Sequence, residues 1–493
     1  MPSAKPRAAL AAASRSSVRR IMTKTGVKQQ LAFRAESMRP VFNLPLVVSP
    51  LAIVCSLDCD YASQHVAENI NSTASRTNRN DVMPVSTTDT PSALKIKGQG
   101  TIYLVGFGHA STHWVHAMMI FLFPYIQREF GLSYTQIGLL SMIMHVSALA
   151  CNFGAGPLVD MTGRRVVFLM VSLFGTGAAL FLFGFVQSFA IVCFLVAMVG
   201  AANNLWHAPG IAFLSETFPK NRGYVLAVHA TGANLGDAVA PMVAGLLLWV
   251  GISWQNTSMT MALPVFLALA IVALTLMPRE TAGRFGGERR GMSLRDYGAG
   301  LMTIARIPPI RNLTLVIAVR GMAQVGITMF VPLYLVNELA FSPQGQGTTM
   351  MLMQIGGMAA SMIAGTLSDR VGRRPVVFSG LTATTIVIIG ITFISHDILF
   401  IVGVSVLGFV LFAVRPVMQG WMMDLTPSNL GGSATSVMFG VQALFGAAVP
   451  VLGGLVADQW GLIEVFYMLA GFMLIANIMM FTLRGADAEV PRG

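Results

Sequence analysis

Asn203, Asn204, His207, His229, Asn234 and Asp237 carry much of the chemistry this chain can do, and all six lie between Ala201 and Gly245. That stretch reads as two apolar helices joined by a short charged turn, Glu216 to Arg222. An ionisable group inside an apolar span costs roughly 3 kcal/mol on insertion scales, so its retention there is by default a sign of function. Gly210, Gly223, Gly232, Gly236 and Gly245, with Pro209 and Pro241, suit close helix contact and local unwinding in the same stretch.

Asp237 is the acid placed deepest, about 20 Å along a helix that starts near Arg222, at about 1.5 Å per residue. Desolvation favours the protonated form of an unpaired carboxylate, which suits uptake and release of a proton, and His113 and His229 are the candidate partners. A permanently paired structural acid is the alternative. His109, His113 and His116 recur at i, i+4 and i+7 and form one helical stripe, expected to line a cavity and to titrate near neutral pH. Zinc would need three or four converging ligands, and the stripe has no cysteine or carboxylate beside it, so no metal and no cofactor is expected. Cys55 and Cys59 likewise lack a second ligand pair. Arg320 and Arg415 fall inside later spans. A guanidinium stays charged, so each needs a carboxylate, a helix C-terminus or an anionic ligand. A binding centre for a phosphonate or carboxylate is expected there, with Asn203, Asn204, His207, His109 and His116 on the opposite wall. Snorkelling to the interface is the alternative for Arg415.

The elements that hold these residues follow from composition. The chain has 493 residues, 54% hydrophobic and 11% charged, against about 25% charged in soluble domains. Repeated apolar runs of roughly 20 residues predict an all-α polytopic membrane protein. Twelve transmembrane helices are expected at 101–126, 135–158, 165–186, 189–214, 222–250, 254–277, 311–336, 346–368, 374–394, 397–423, 433–456 and 462–483. They imply an N-terminal extension (1–98), a six-helix half (99–277), a linker (278–310), a second six-helix half (311–484) and a tail (485–493). Residues 1–82 lack the pattern of the body, and Met83 is an alternative start. The net charge of +11 is not a nucleic-acid signal, because from residue 83 on it sits in alternate connections: among the odd-numbered ones only Arg128 is basic. Basic loops stay cytoplasmic, so both termini are expected inside a cell (plasma or inner) membrane.

The halves repeat. Gly156 to Arg165 (GPLVDMTGRR) corresponds to Gly365 to Arg374 (GTLSDRVGRR) at an offset of 365 − 156 = 209, and Pro241 matches Pro450 at the same offset. Two six-helix pseudo-repeats around a central cavity imply alternating access. Asp160 with Arg164 and Arg165, and Asp369 with Arg370, Arg373 and Arg374, end inward-running helices. They can latch one conformation through ion pairs and helix dipoles.

This duplicated G-x-x-x-D-[RK]-x-G-R-[RK] loop resembles the signature of the major facilitator superfamily. The second copy matches fully, and the first has Met161 where a basic residue is usual. Within that family, NNLWHAPGIAFLSETFP and HATGANLGDAVAP are similar to the fosmidomycin-resistance efflux group. The antiporter pattern G-x-x-x-G-P is only partly present, since Gly236 is followed by Asp237 and the proline comes at Pro241. The resemblance implies a monomeric, proton-coupled antiporter that exports a small anionic or amphipathic compound, of the antibiotic-resistance type. A proton-coupled importer of an organic anion and a non-transporting receptor are the rivals. No P-loop and no nucleophile–base set points to an ATPase or another enzyme.

Overall fold

Serines start four of the helices at one end of the molecule. Ser133, Ser188, Ser253 and Ser342 each accept a hydrogen bond from a backbone amide of the first turn, at Gln136, Ile191, Asn256 and Gly345. Gln136 returns a bond to the Ser133 amide, and Pro343 opens its helix where an N–H is not needed. The computed structural model describes residues 98–281, 302–304, 306–426 and 431–483, all within one unit, Ala93–Gly493. The expected N-terminal extension up to residue 97, the Met83 start, most of the 278–310 linker, and Arg484 with the tail lie outside the described residues.

Helices account for the architecture, with no strand among the described residues. The first half comprises α1 (Gln99–Phe130), α2 (Tyr134–Thr162), α3 (Arg165–Leu182), α4a (Phe189–Leu205), α4b (His207–Thr217), α5 (Arg222–Trp249), α6a (Trp254–Met261), α6b (Leu263–Thr275) and α6c (Met277–Thr281). The second comprises α7 (Pro308–Asn337), α8 (Pro343–Val371), α9 (Arg373–Ile391), α10 (Asp397–Asp424), α11 (Gly431–Trp460) and α12 (Leu462–Met479). Among the described residues, eleven helical runs are long and apolar enough to cross a membrane. The exception is α1, at 32 residues the longest helix described, whose polar content includes His109, His113 and His116. Its interior is nevertheless packed, with Val115, Met118, Phe121 and Phe123 fully buried. The fourth span runs on as expected, from Phe189 to Thr217, with a one-residue irregularity at Trp206, which keeps helical dihedrals (φ −69°, ψ −37°); Pro209 has no N–H to offer the Leu205 carbonyl. Pro264 follows a similar irregularity at Ala262 in the sixth.

Within the halves, α1 packs along α5, α2 along α4a, α7 along α11 and α8 along α10. Across them, α2 meets α11 and α5 meets α8. The hydrogen bonds joining the halves gather at the end opposite the arginine loops. Tyr125 donates to Gln346 (2.8 Å), Arg128 to the Val336 carbonyl (2.8 Å) and Asn337 to Gln127 (2.7 Å). The Tyr134 and Thr135 amides donate to the Asp458 carboxylate (2.8 and 2.9 Å). At this seam a side chain on Gly138 would meet the Pro450 backbone, and one on Gly347 the Pro241 backbone. The missing Cβ atoms let the helix pairs touch there.

Candidate functional site

Below the seam, a cavity of about 760 Å³ opens between the halves. Nine of the ten residues expected to hold a proton or a substrate line it: His109, His113, His116, Asn203, Asn204, His207, His229, Asp237 and Arg415. Helix α1 supplies three histidines, the fourth span supplies Asn203, Asn204 and His207, and α5 supplies His229 and Asp237. The second half contributes Arg415 with Gln324, Gln354 and Gln419. Asn234 also reaches the wall.

The imidazoles cluster, His109 and His113 meeting edge to face at 4.8 Å. His113 Nδ1 lies 3.0 Å from Asp237 Oδ2, and both side chains keep 20% exposure, so the pair borders the cavity. His109 Nδ1 lies 2.8 Å from the His229 carbonyl, which can only accept, so this nitrogen carries the hydrogen. In neutral His109 the Nε2 atom is then an acceptor, and His207 Nδ1 stands 3.3 Å from it. Buried Trp206 donates Nε1–H to His229 Nε2 at 3.1 Å, while the His109 and His229 rings stack at 3.8 Å. Gly108 leaves the space that the Trp206 ring fills. His113 Nε2 is buried without a partner, as is Asn203 Oδ1. Asn204 accepts from Asn152 and donates to the Gly200 carbonyl, both at 3.1 Å. His145, outside this cluster, is held by the Ser141 carbonyl of its own helix (2.8 Å).

The two arginines part company. Arg415 faces the cavity across from Asp237, and the opposite charges attract. Arg320 corrects the expectation of a substrate contact: it is fully buried behind the wall, donating to the Leu411 carbonyl of α10 and to Gln324 of its own helix. Residue counting along α7 places it at the right depth, but its face points into the packing with α10. It reaches the cavity only through Gln324.

The signature loops lie at the far end of the cavity. Arg373 bridges Asp369 (2.6 Å) and Asp424 (3.1 Å) and also donates to Ser368 (2.6 Å). Arg165 pairs with Glu216 at 2.5 Å. Arg164 and Arg370 are exposed and Arg374 is half-buried; the Asp160 side chain lies outside the described set. Sequence reading missed Glu216 and Asp424 as the acids that receive these arginines. Both precede a proline by three residues, Glu216-Thr-Phe-Pro219 and Asp424-Leu-Thr-Pro427, and 424 − 216 = 208 matches the offset of the prolines. That repeat was the available signal. Glu280 adds a third contact, accepting from the Val166 and Val167 amides that open α3 (2.8 and 3.3 Å). Trp206 was missed as well, although it sits between the flagged Asn204 and His207.

Comparison with known proteins places this geometry. A family model described as Major Facilitator Superfamily matches residues 105–450 and again 313–493. The phosphoglycerate transporter protein of Salmonella typhimurium is 23% identical over 395 residues, covering 75% of this chain and 85% of that protein. The fosmidomycin resistance protein of Escherichia coli is 18% identical over 395 residues, covering 78% and 92%. Among solved structures, a bacterial homolog to the human lysosomal transporter Spinster, in an inward-facing and occupied conformation, superposes with a TM-score of 0.66 at 14% identity. It covers 78% of this chain and 96% of that one, a likeness of fold.

Proposed function

The chain belongs to the Major Facilitator Superfamily and is a multi-pass membrane transporter, and we propose that it exports a small anion from the cell in exchange for protons. One observation carries the reading: a single cavity holds a carboxylate–imidazole pair, Asp237–His113, on one wall and the guanidinium of Arg415 on the other. Arg415 is a fixed positive charge exposed on the cavity wall, which is what an anionic cargo needs. Asp237 and His113 can together hold or give up a proton, and His229 reaches them only by ring stacking through His109. The cargo and the proton then occupy opposite halves of one chamber, and each is released when the chamber opens to the other side. The arginine loops lie at the end we assign to the cytoplasm, so the chamber is closed by the seam toward the exterior. The fosmidomycin and phosphoglycerate proteins among the relatives make phosphonates and phosphorylated acids the first cargo class to test.

The test uses purified protein in proteoliposomes with an imposed pH gradient, and fosmidomycin and phosphoglycerate as probes. Asp237→Asn fixes a neutral state: binding and cargo exchange survive while proton-driven accumulation is lost. Arg415→Gln removes a charge-assisted contact worth roughly 1.5–3 kcal/mol, a loss of about ten- to a hundredfold in affinity. Equal loss of binding in both variants would mean that the acid and the arginine form one structural pair, and would end the separation of proton and cargo. Accumulation in the wild type that ignores the pH gradient would end the coupling itself.

A further inference from the structure

We propose that His109, His113 and His207 form a binding site for a divalent transition metal, with Zn2+ as the type case, whose remaining coordination position opens on the cavity. This site stands on the arrangement of ring nitrogens and on neither the proton nor the anion reading above.

One ring nitrogen from each of the three histidines lies within 4.8 Å of the others. His109 Nε2 and His207 Nδ1 are 3.3 Å apart. Two imidazole nitrogens bound about 2.0–2.1 Å from one tetrahedral metal stand about 3.4 Å apart, so this pair already has ligand spacing. The same 3.3 Å is long for a hydrogen bond between two rings, where about 2.9–3.0 Å is usual for N–H donors.

The far sides of two of the three rings are held as metal ligands hold theirs. A metal-binding histidine donates its other N–H to a carbonyl or carboxylate, which fixes the tautomer and aims the free nitrogen at the metal. His109 does this through Nδ1 to the His229 carbonyl (2.8 Å), and His113 through Nδ1 to Asp237 (3.0 Å). Both therefore present Nε2. In His113 that Nε2 is buried with no hydrogen-bond partner among the described residues, an acceptor left over beside the cavity. A metal would give it a partner.

The fold explains why three ligands meet. His109 and His113 are one helical turn apart on α1, and His207 lies on the fourth span, which packs against α1. The His113 and His207 rings meet edge to face at 5.7 Å, and those of His109 and His207 at 5.1 Å. Three neutral nitrogens without thiolate or free carboxylate select the late divalent metals (Zn2+, Ni2+, Co2+) over Mg2+ and Ca2+, which take oxygen ligands. Three protein ligands leave one position for water or another oxygen.

The experiment titrates full-length protein, purified in detergent with a non-histidine tag, with Co2+ and Zn2+ at one fixed pH. The expected result is one equivalent of Co2+ giving the intense visible bands of a tetrahedral site, displaced by Zn2+. His207→Gln and His109→Gln should each lower the Zn2+ affinity at least a hundredfold. Asp237→Asn should lower it about ten- to a hundredfold by freeing the His113 ring. His145→Gln, whose parent side chain bonds only its own helix, should leave it unchanged. If His207→Gln is not monodisperse, His113→Gln serves in its place. Absence of a tetrahedral cobalt spectrum, or Zn2+ binding that survives loss of a proposed ligand, overturns the site. Wild-type accumulation that ignores the pH gradient, with metal binding intact, would sink only the transport reading; proton-driven accumulation without metal binding would sink only this one.

Discussion

Asp458 should hold the seam closed, and its removal should open the cavity to the side opposite the arginine loops. Its two carboxylate oxygens accept the Tyr134 and Thr135 amides at 2.8 and 2.9 Å. These are first-turn donors of α2, which no carbonyl of their own helix can satisfy, at the positive end of that helix. The bonds run from α11 to α2 and so exist only while the halves touch. Hydrogen bonds to a charged group contribute roughly 1.5–3 kcal/mol each, but Asp458 is exposed and water competes for both donors. A net of about 1–2 kcal/mol is therefore reasonable, equivalent to a five- to thirtyfold shift in the closed-to-open ratio. Asp458→Ala removes both acceptors; Asp458→Asn keeps one neutral oxygen and should fall between. The assay places a reporter Ile120→Cys on the cavity wall in a cysteine-free background and measures its labelling by an impermeant maleimide added from the seam side. Labelling should rise about five- to thirtyfold in Asp458→Ala. Gly138→Leu serves as the positive control, because any side chain there strikes the Pro450 backbone. If the Gly138 variant labels fast while Asp458→Ala labels at the wild-type rate, the seam gates but Asp458 does not latch it, and the reasoning fails.

At the opposite end, Asp369→Asn and Asp424→Asn each remove one of the two carboxylates on Arg373. Both should slow turnover with cargo affinity within about threefold of wild type in proteoliposome uptake; a large affinity loss at unchanged maximal rate would place them in the binding site. Arg320→Gln should lower the melting temperature of the detergent-solubilised protein, because it abandons the Leu411 carbonyl in the buried α7–α10 contact, and should leave cargo affinity within a few-fold. Affinity lost at unchanged melting temperature would restore Arg320 to the cargo site.

The fold was legible because membrane spans announce themselves by length and apolar composition. The duplicated loops then paired the halves. What a linear reading supplies is depth: a residue count along a helix tells how far a side chain lies from the end. It does not tell which way the side chain faces. Arg320 and Arg415 have similar depth by that count, yet one is sealed behind α10 and the other borders the cavity. The same limit explains the metal reading. On α1 alone, His109, His113 and His116 are a stripe without a third or fourth converging ligand, and zinc is a poor explanation of them. The residue that completes the proposed set is His207, 98 residues past His109 in sequence and brought beside it only by the packing of the fourth span against α1. A pairing between two helices so far apart in sequence is set by tertiary packing, which no residue count along one helix supplies.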